Sequence, residues 1–226
     1  MGLLTISGLI WVNRGIVRAV PTTVPVFSTA PATESIVQSP NHIEFPFVLG
    51  NAGLIVTNIV SFEGLLPGVT EDIYGDNILA IEVYNPKSSG IVNATITLTQ
   101  DGNTFYFDLE YLPSGSKALI LERNGHTLDS TVFESCECLQ FSRGDFVSEI
   151  PGIQITEENG ILTIQNLSDT VLPEVTLYYK QYTGGFYVGK AMSVQFDTLL
   201  PGEKLSQPVY GYAESYSRIA AIIPKQ

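Results

Sequence analysis

Two histidines, His42 and His126, and two cysteines, Cys136 and Cys138, are the chain's whole stock of its most reactive side chains. An imidazole exchanges a proton near neutral pH, so either histidine could serve a Ser-His-acid arrangement assembled from loops. No G-x-S-x-G turn accompanies them, and two histidines in separate loops make a weak zinc site. Both read as loop or surface residues, and the expectation is a chain without catalytic residues, metal or cofactor. Cys136 and Cys138 are two residues apart. In a strand they would share one face with α-carbons about 6.5–7 Å apart, at the edge of disulfide reach. A strained bridge, a soft-metal pair and two inert thiols all stay open.

Four further patterns imitate known chemistry. Gly184 to Lys190 (GGFYVGK) has the spacing of a phosphate-binding loop, but Ala191 stands where a magnesium-binding hydroxyl is needed, and the segment alternates like a hairpin rather than opening a helix. Arg143-Gly144-Asp145 spells an integrin-recognition tripeptide and reads more simply as a polar turn. Asn93-Ala94-Thr95 and Asn166-Leu167-Ser168 satisfy the glycosylation pattern. Glu71, Asp72, Asp76 and Asn77 crowd one turn with oxygen ligands, off the spacing of an EF-hand loop, and read as a solvated acidic loop. Tyrosine is unevenly placed, with Tyr178, Tyr179, Tyr182, Tyr187, Tyr210, Tyr212 and Tyr216 in the second half against four in the first. Tyr182 and Tyr187 flank Gly184-Gly185, where exposure is natural, and are the candidate binding residues.

The elements that must hold these residues are strands. Val92, Ala94, Ile96 and Leu98 alternate with polar residues, and Phe105, Phe107 and Leu109 repeat the pattern beyond Asp101-Gly102. Asn124-Gly125, Asn159-Gly160 and Gly184-Gly185 mark further tight turns. No window sustains a 3.6-residue period. The expectation is an all-β chain.

An internal repeat divides it. Ile78 to Ile81, Asn85 and the strand Ala94–Leu98 correspond to Ile161 to Ile164, Asn166 and Val175–Tyr179. Leu112-Pro113-Ser114-Gly115 corresponds to Leu200-Pro201-Gly202. The spacing suits two antiparallel β-sandwiches, at 41–143 and 144–226. The Leu-Pro-Gly element ahead of a late strand resembles the corner of fibronectin type III and other immunoglobulin-like modules, and the chain resembles bacterial extracytoplasmic proteins with tandem modules of that kind. It departs from antibody-type domains in lacking their paired cysteines and core tryptophan.

Ahead of the repeats, Leu3 to Val12 is an apolar run too short to span a bilayer. With Val17-Arg18-Ala19 behind it, residues 1–19 read as a signal peptide cleaved after Ala19. A partial membrane anchor and a buried strand are the alternatives. Residues 20–40 hold four prolines among Thr, Ser and Ala and read as an extended stalk. Of the chain's charged side chains, 23 are acidic and 11 basic, a net charge of -12 that repels nucleic acid and anionic lipid surfaces. Together these features predict a noncatalytic, extracytoplasmic binding or spacer protein, secreted or attached through its N-terminus, with a cell-surface protein or polysaccharide as partner. A carbohydrate-binding module and a hydrolase with a loop-built site are the rival readings.

Overall fold

A computed structural model describes residues 42–65 and 74–225; the leader and stalk expected at residues 1–40, and Glu71 and Asp72 of the acidic turn, lie outside the described residues. Among the described residues there are strands and no helix. The first repeat contains β1 (Phe47–Leu49), β2 (Leu54–Leu65), β3 (Tyr74–Tyr84), β4 (Gly90–Gln100), β5 (Asn103–Leu112), β6 (Lys117–Leu121) and β7 (Ser135–Gly144). The second contains β8 (Ile153–Glu158), β9 (Ile161–Asn166), β10 (Val175–Thr183), β11 (Phe186–Phe196), β12 (Lys204–Pro208) and β13 (Ser217–Pro224).

Local chemistry sets the hairpins. The β4–β5, β8–β9 and β10–β11 turns place Asp101-Gly102, Asn159-Gly160 and Gly184-Gly185 at positive φ. A two-residue turn of that kind matches the right-handed twist of the strands it joins. In β4 the expected inward residues Ala94, Ile96 and Leu98 are buried, while Val92, at a register shift between Ile91 and Asn93, is only half-buried. The middle of its polar face is covered as well: Thr95 donates to Asp108 Oδ1 and Thr97 to the Glu137 carbonyl.

Three sheets result. One is seven-stranded, in the order β1-β2-β3-β6-β11-β10-β13; the others are β5-β4-β7 and β12-β9-β8. One hydrophobic cluster joins residues of β2, β3 and β6 to residues of β4, β5 and β7, and a second joins β9 to β10, β11 and β13. The long sheet crosses the boundary that the sequence places between residues 143 and 144. It does so through β6 and β11, which pair in parallel with Ala118 opposite Tyr187 and Leu119 opposite Val188. Tyr187 and Ala220 therefore belong to the first repeat's cluster, and Val188 packs with Val60, Phe62, Ile78, Ala80 and Leu119.

The same seam holds a buried cation. Lys180, 1% exposed, donates from Nζ to the Glu110 carbonyl at 2.9 Å, while Glu110 Oε2 accepts the Ala191 amide. Burial lowers the Lys180 amine to about 8, against an opposing pull from the Glu110 carboxylate. Tyr111 and Tyr178 stack beside it with ring centroids 3.9 Å apart.

The repeat is visible atom by atom in two buried asparagines. Asn85 Nδ2 donates to the carbonyls of Ser89, Leu112 and Pro113, its amide donates to Ser116 and its carbonyl accepts Gly115. Asn166 Nδ2 donates to Thr170 and Leu199, its amide donates to Glu203 and its carbonyl accepts Gly202. Each side-chain carbonyl also accepts the amide two residues on, Lys87 or Ser168. The match aligns Leu112 with Leu199, one residue away from the Leu200 that the Leu-Pro motif suggests.

Candidate functional site

A cleft of about 620 Å³ opens between two strands that end their sheets, β8 and β13. Ile153 and Ile155 of β8 point into it because alternate residues of a strand share a face. Arg218 and Ile219 of β13 form the opposite wall, Ile150 and Pro151 the linker side, and Tyr187 and Tyr212 add aromatic surface. Glu149 and Glu214 lie on its rim with Arg218, whose guanidinium donates to the Glu214 and Ser217 carbonyls. A trough floored by isoleucine and tyrosine, whose open lining is nonetheless more polar than apolar, suits an extended chain or a flat ring better than a small reactive molecule.

The candidate tyrosines are neighbours here, but the exposure expected of both is not found. Tyr182 and Tyr187 face each other across the β10–β11 ladder with ring centroids 5.1 Å apart in an edge contact, and the Arg218 guanidinium sits 5.4 Å from the Tyr182 centroid. Tyr187 is 8% exposed, and its hydroxyl donates to the Ile219 carbonyl. Burial, then the Tyr182 ring beside it, raises the Tyr187 phenol above its usual range. The β6–β11 pairing buries Tyr187, and nothing within the hairpin announces that long-range contact. Tyr182 is half-buried.

The remaining tyrosines do not gather on one open platform. Tyr179 is buried with its hydroxyl on the Tyr210 carbonyl and its ring edge-on to Tyr212, and Tyr178 is stacked on Tyr111. Tyr210 and Tyr216 are exposed. Tyr212 and Arg218 are cleft residues that the turn-based reading passes over; an aromatic and a cation in the last 15 residues carry no local pattern.

A second cleft, about 340 Å³, lies in the first repeat and is lined by His126, Phe105, Thr104, Thr127, Ser130 and Phe133 among others. His126 Nδ1 is 2.9 Å from Glu122 Oε2, and Phe105 meets the imidazole edge-on. Glu122 is 3% exposed and accepts the amides of Tyr106, Asn124 and His126. Burial alone would raise its carboxyl; the hydrogen bonds, led by the His126 and Asn124 amides, outweigh it and hold the pKa below the ordinary value. The carboxylate thus ties the Asn124-Gly125 turn together. No described hydroxyl bonds to the His126 ring. His42 is exposed at the start of the described chain.

The other motifs resolve into structure. Cys136 and Cys138 are free, buried in the first cluster beside Leu98 and Ile96. Burial, then the Cys138 and Glu137 neighbours, pushes the Cys136 thiol up to about 12, so it holds little thiolate at neutral pH. Serine at these sites would bury hydroxyls in an apolar cluster. Arg143 is a clamp. It donates to the Ser89 and Ala52 carbonyls, the Ser89 hydroxyl and Asn85 Oδ1, which turns its guanidinium inward from the Arg-Gly-Asp sequence. Asn166 is fully buried, so its glycosylation pattern is closed in the folded chain, whereas Asn93 is exposed. Phe186 to Lys190 lie in β11, as a hairpin requires. In the acidic turn, the Asn77 side-chain oxygen accepts the Ser61 hydroxyl. Among the described residues no three His, Cys, Asp or Glu group as metal ligands, and no helix is long and apolar enough to cross a membrane.

No protein-family model matches the chain, and no curated protein matches it significantly.

Proposed function

We propose that the chain is a noncatalytic, extracytoplasmic binding or spacer protein: two immunoglobulin-like modules, at 41–143 and 144–226, carried on an extended N-terminal segment and directed at a cell-surface partner. The observation that carries this reading is the long sheet through β6 and β11. It welds two equivalent halves into one unit, with Lys180, Glu110 and the Tyr111–Tyr178 stack engaged in the weld. A fused pair keeps a fixed distance between its ends, which is what a spacer requires, and leaves the β8–β13 cleft at one flank for contact.

The test is binding of the purified chain to intact cells and to purified envelope polysaccharide. Saturable binding, weakened at least tenfold by Ile155→Asp with the circular dichroism spectrum unchanged, is expected. Absence of binding to every fraction would overturn the reading. A hydrolase built on His126 and Glu122 is the second reading, favoured by their 2.9 Å contact within a cleft. Ester or glycoside turnover lost in His126→Ala would establish it.

A further inference from the structure

The two repeats differ at one flank. In the first, the chain ahead of β2 closes the gap between β2 and β7: Ile43, Phe45 and Phe47 pack on the cluster at every second position, and Leu49 is buried within it. β1 pairs with β2, Ile43 donates its amide to Phe133 just before β7, and Asn51 donates to the Cys138 carbonyl of β7. In the second repeat the equivalent strands are β8 and β13, and among the described residues no strand lies between them. Among those residues β8 pairs only with β9, and β13 pairs only with β10 apart from a single bridge from Ile222 to Val147. The gap is the 620 Å³ cleft, where Ile150, Ile153, Ile155 and Ile219 stay half-buried. The first repeat therefore has at this flank a longer extended segment, with apolar side chains at alternate positions, than the second, where the chain ahead of β8 contributes only the Val147–Ile222 bridge and Ile150 on the cluster.

Residues 20–30 (VPTTVPVFSTA), outside the described residues, carry a sequence pattern close to that one, with Val20, Val24, Val26 and Ala30 on one parity and Phe27 on the other. Val20, Thr22, Val24, Val26, Ser28 and Ala30 share one parity, while Pro21, Pro25 and the following Pro31 share the other. In a strand, side chains and backbone amides both alternate, so residues of one parity bond to the same neighbour. The prolines, which lack an amide hydrogen, would all face away from the pairing edge, the arrangement an edge strand tolerates. Each proline also biases the residue before it, Val20, Val24 or Ala30, toward extended backbone. The segment carries no carboxylate to oppose Glu149 and Glu214, whereas residues 42–226 hold 22 of the 23 acidic side chains. At about 3.3 Å per residue, 11 residues more than cover the part of β13 that precedes the Val147–Ile222 bridge.

We propose that Val20 to Ala30 of one copy adds as a strand to β13 of a second copy and closes the β8–β13 cleft. β1 and β13 end the seven-stranded sheet at opposite edges, so a chain that enters at the β1 side donates at one end and accepts at the other. Such a contact is head-to-tail and does not close on itself, so it propagates as a linear assembly. This rests on the spacer reading and names its partner as the chain itself.

Mass measurement on the full chain by light scattering is the first test, with concentration-dependent oligomers expected and monomers expected for Val24→Asp/Val26→Asp. An acceptor variant, Ile219→Lys, should also be monomeric, and its mixture with the donor variant should stop at a one-to-one dimer. Should Ile219→Lys not fold, a peptide of residues 20–30 added to the donor variant gives the same information. It should bind saturably, at least tenfold more tightly than a peptide of equal composition with its prolines moved to even positions. Oligomers that persist in the donor variant, a monomeric wild type, or equal binding of the two peptides would overturn strand addition. A monomeric wild type whose residues 20–30 resist hydrogen exchange would place the segment in its own cleft and overturn it too. Loss of strand addition with cell binding retained removes this inference alone; loss of cell binding with oligomers retained removes the surface-binding reading alone.

Discussion

Asn85 and Asn166 show how one side chain can organise a corner. Each is fully buried and presents two donors and an acceptor to a place where the chain leaves one strand and two loops meet. Asn166→Ala would leave the Thr170 and Leu199 carbonyls without that partner, and a buried unsatisfied group costs about 1–3 kcal/mol. Denaturant titration should show a loss of roughly 2–4 kcal/mol; a change under about 0.5 kcal/mol would mean the corner holds without it. Lys180 is the opposite case, a charge retained in the seam at a cost. Its amine titrates near 8 when folded against 10.5 when free, so between those values the unfolded chain binds the extra proton and stability rises with pH. The difference in stability between wild type and Lys180→Met should therefore move toward the wild type by about 3 kcal/mol from pH 7 to pH 10.5. Comparison with the variant cancels the opposing drift from the buried cysteines and tyrosines. A pH-independent difference would show that Lys180 stays charged throughout. The thiols give a kinetic readout: with Cys136 near 12 and both buried, alkylation at pH 8 should proceed only as fast as the chain opens, and rapid native labelling would contradict their placement.

Among the elements, the sequence makes hairpins legible because their causes are local: a period of two on each side and Asp-Gly, Asn-Gly or Gly-Gly between. The asparagines of the repeat were also readable, since a buried polar residue recurs at the same point of both copies. Tyr187 was not. Its burial comes from a parallel strand 69 residues earlier in the register, Ala118, and no neighbour in the hairpin encodes it. The fate of Arg143 was hidden in the same way, because its acceptors lie on two separate turns, the β1–β2 turn at Ala52 and the β3–β4 loop at Asn85 and Ser89. Packing between elements is equally non-local at Gly90, which sits opposite Gly144 in the β4–β7 ladder. A Cβ on Gly90 would lie 2.3 Å from the Phe146 ring, which in turn meets Tyr111 edge-on. Gly90→Ala should lose about 1–3 kcal/mol through this overlap, and Phe146→Leu should restore part of it in the double variant. A stability loss that simply adds across the two changes would show that the ring does not cause the clash.

At the scale of the whole molecule, two repeats of a kind found as beads on a string would unfold as two transitions, because each would own its core. Here the ownership is mixed. Tyr187 and Ala220, from β11 and β13, belong to the first repeat's cluster, and the β6–β11 ladder, the Lys180–Glu110 bond and the Tyr111–Tyr178 stack all cross the seam. Opening either half would expose apolar surface of the other and strand a buried lysine, so neither half has a cheap intermediate. Differential scanning calorimetry on the full chain should give one transition whose calorimetric and van't Hoff enthalpies agree. Weakening the seam should separate the halves before it unfolds them. Tyr178→Ala removes the stack without touching the two asparagine corners, and is expected to broaden the transition or split it in two. Two resolved transitions in the wild type would mean that the parallel pairing holds the halves in contact without coupling them, and that a rigid spacer is the wrong description of the pair.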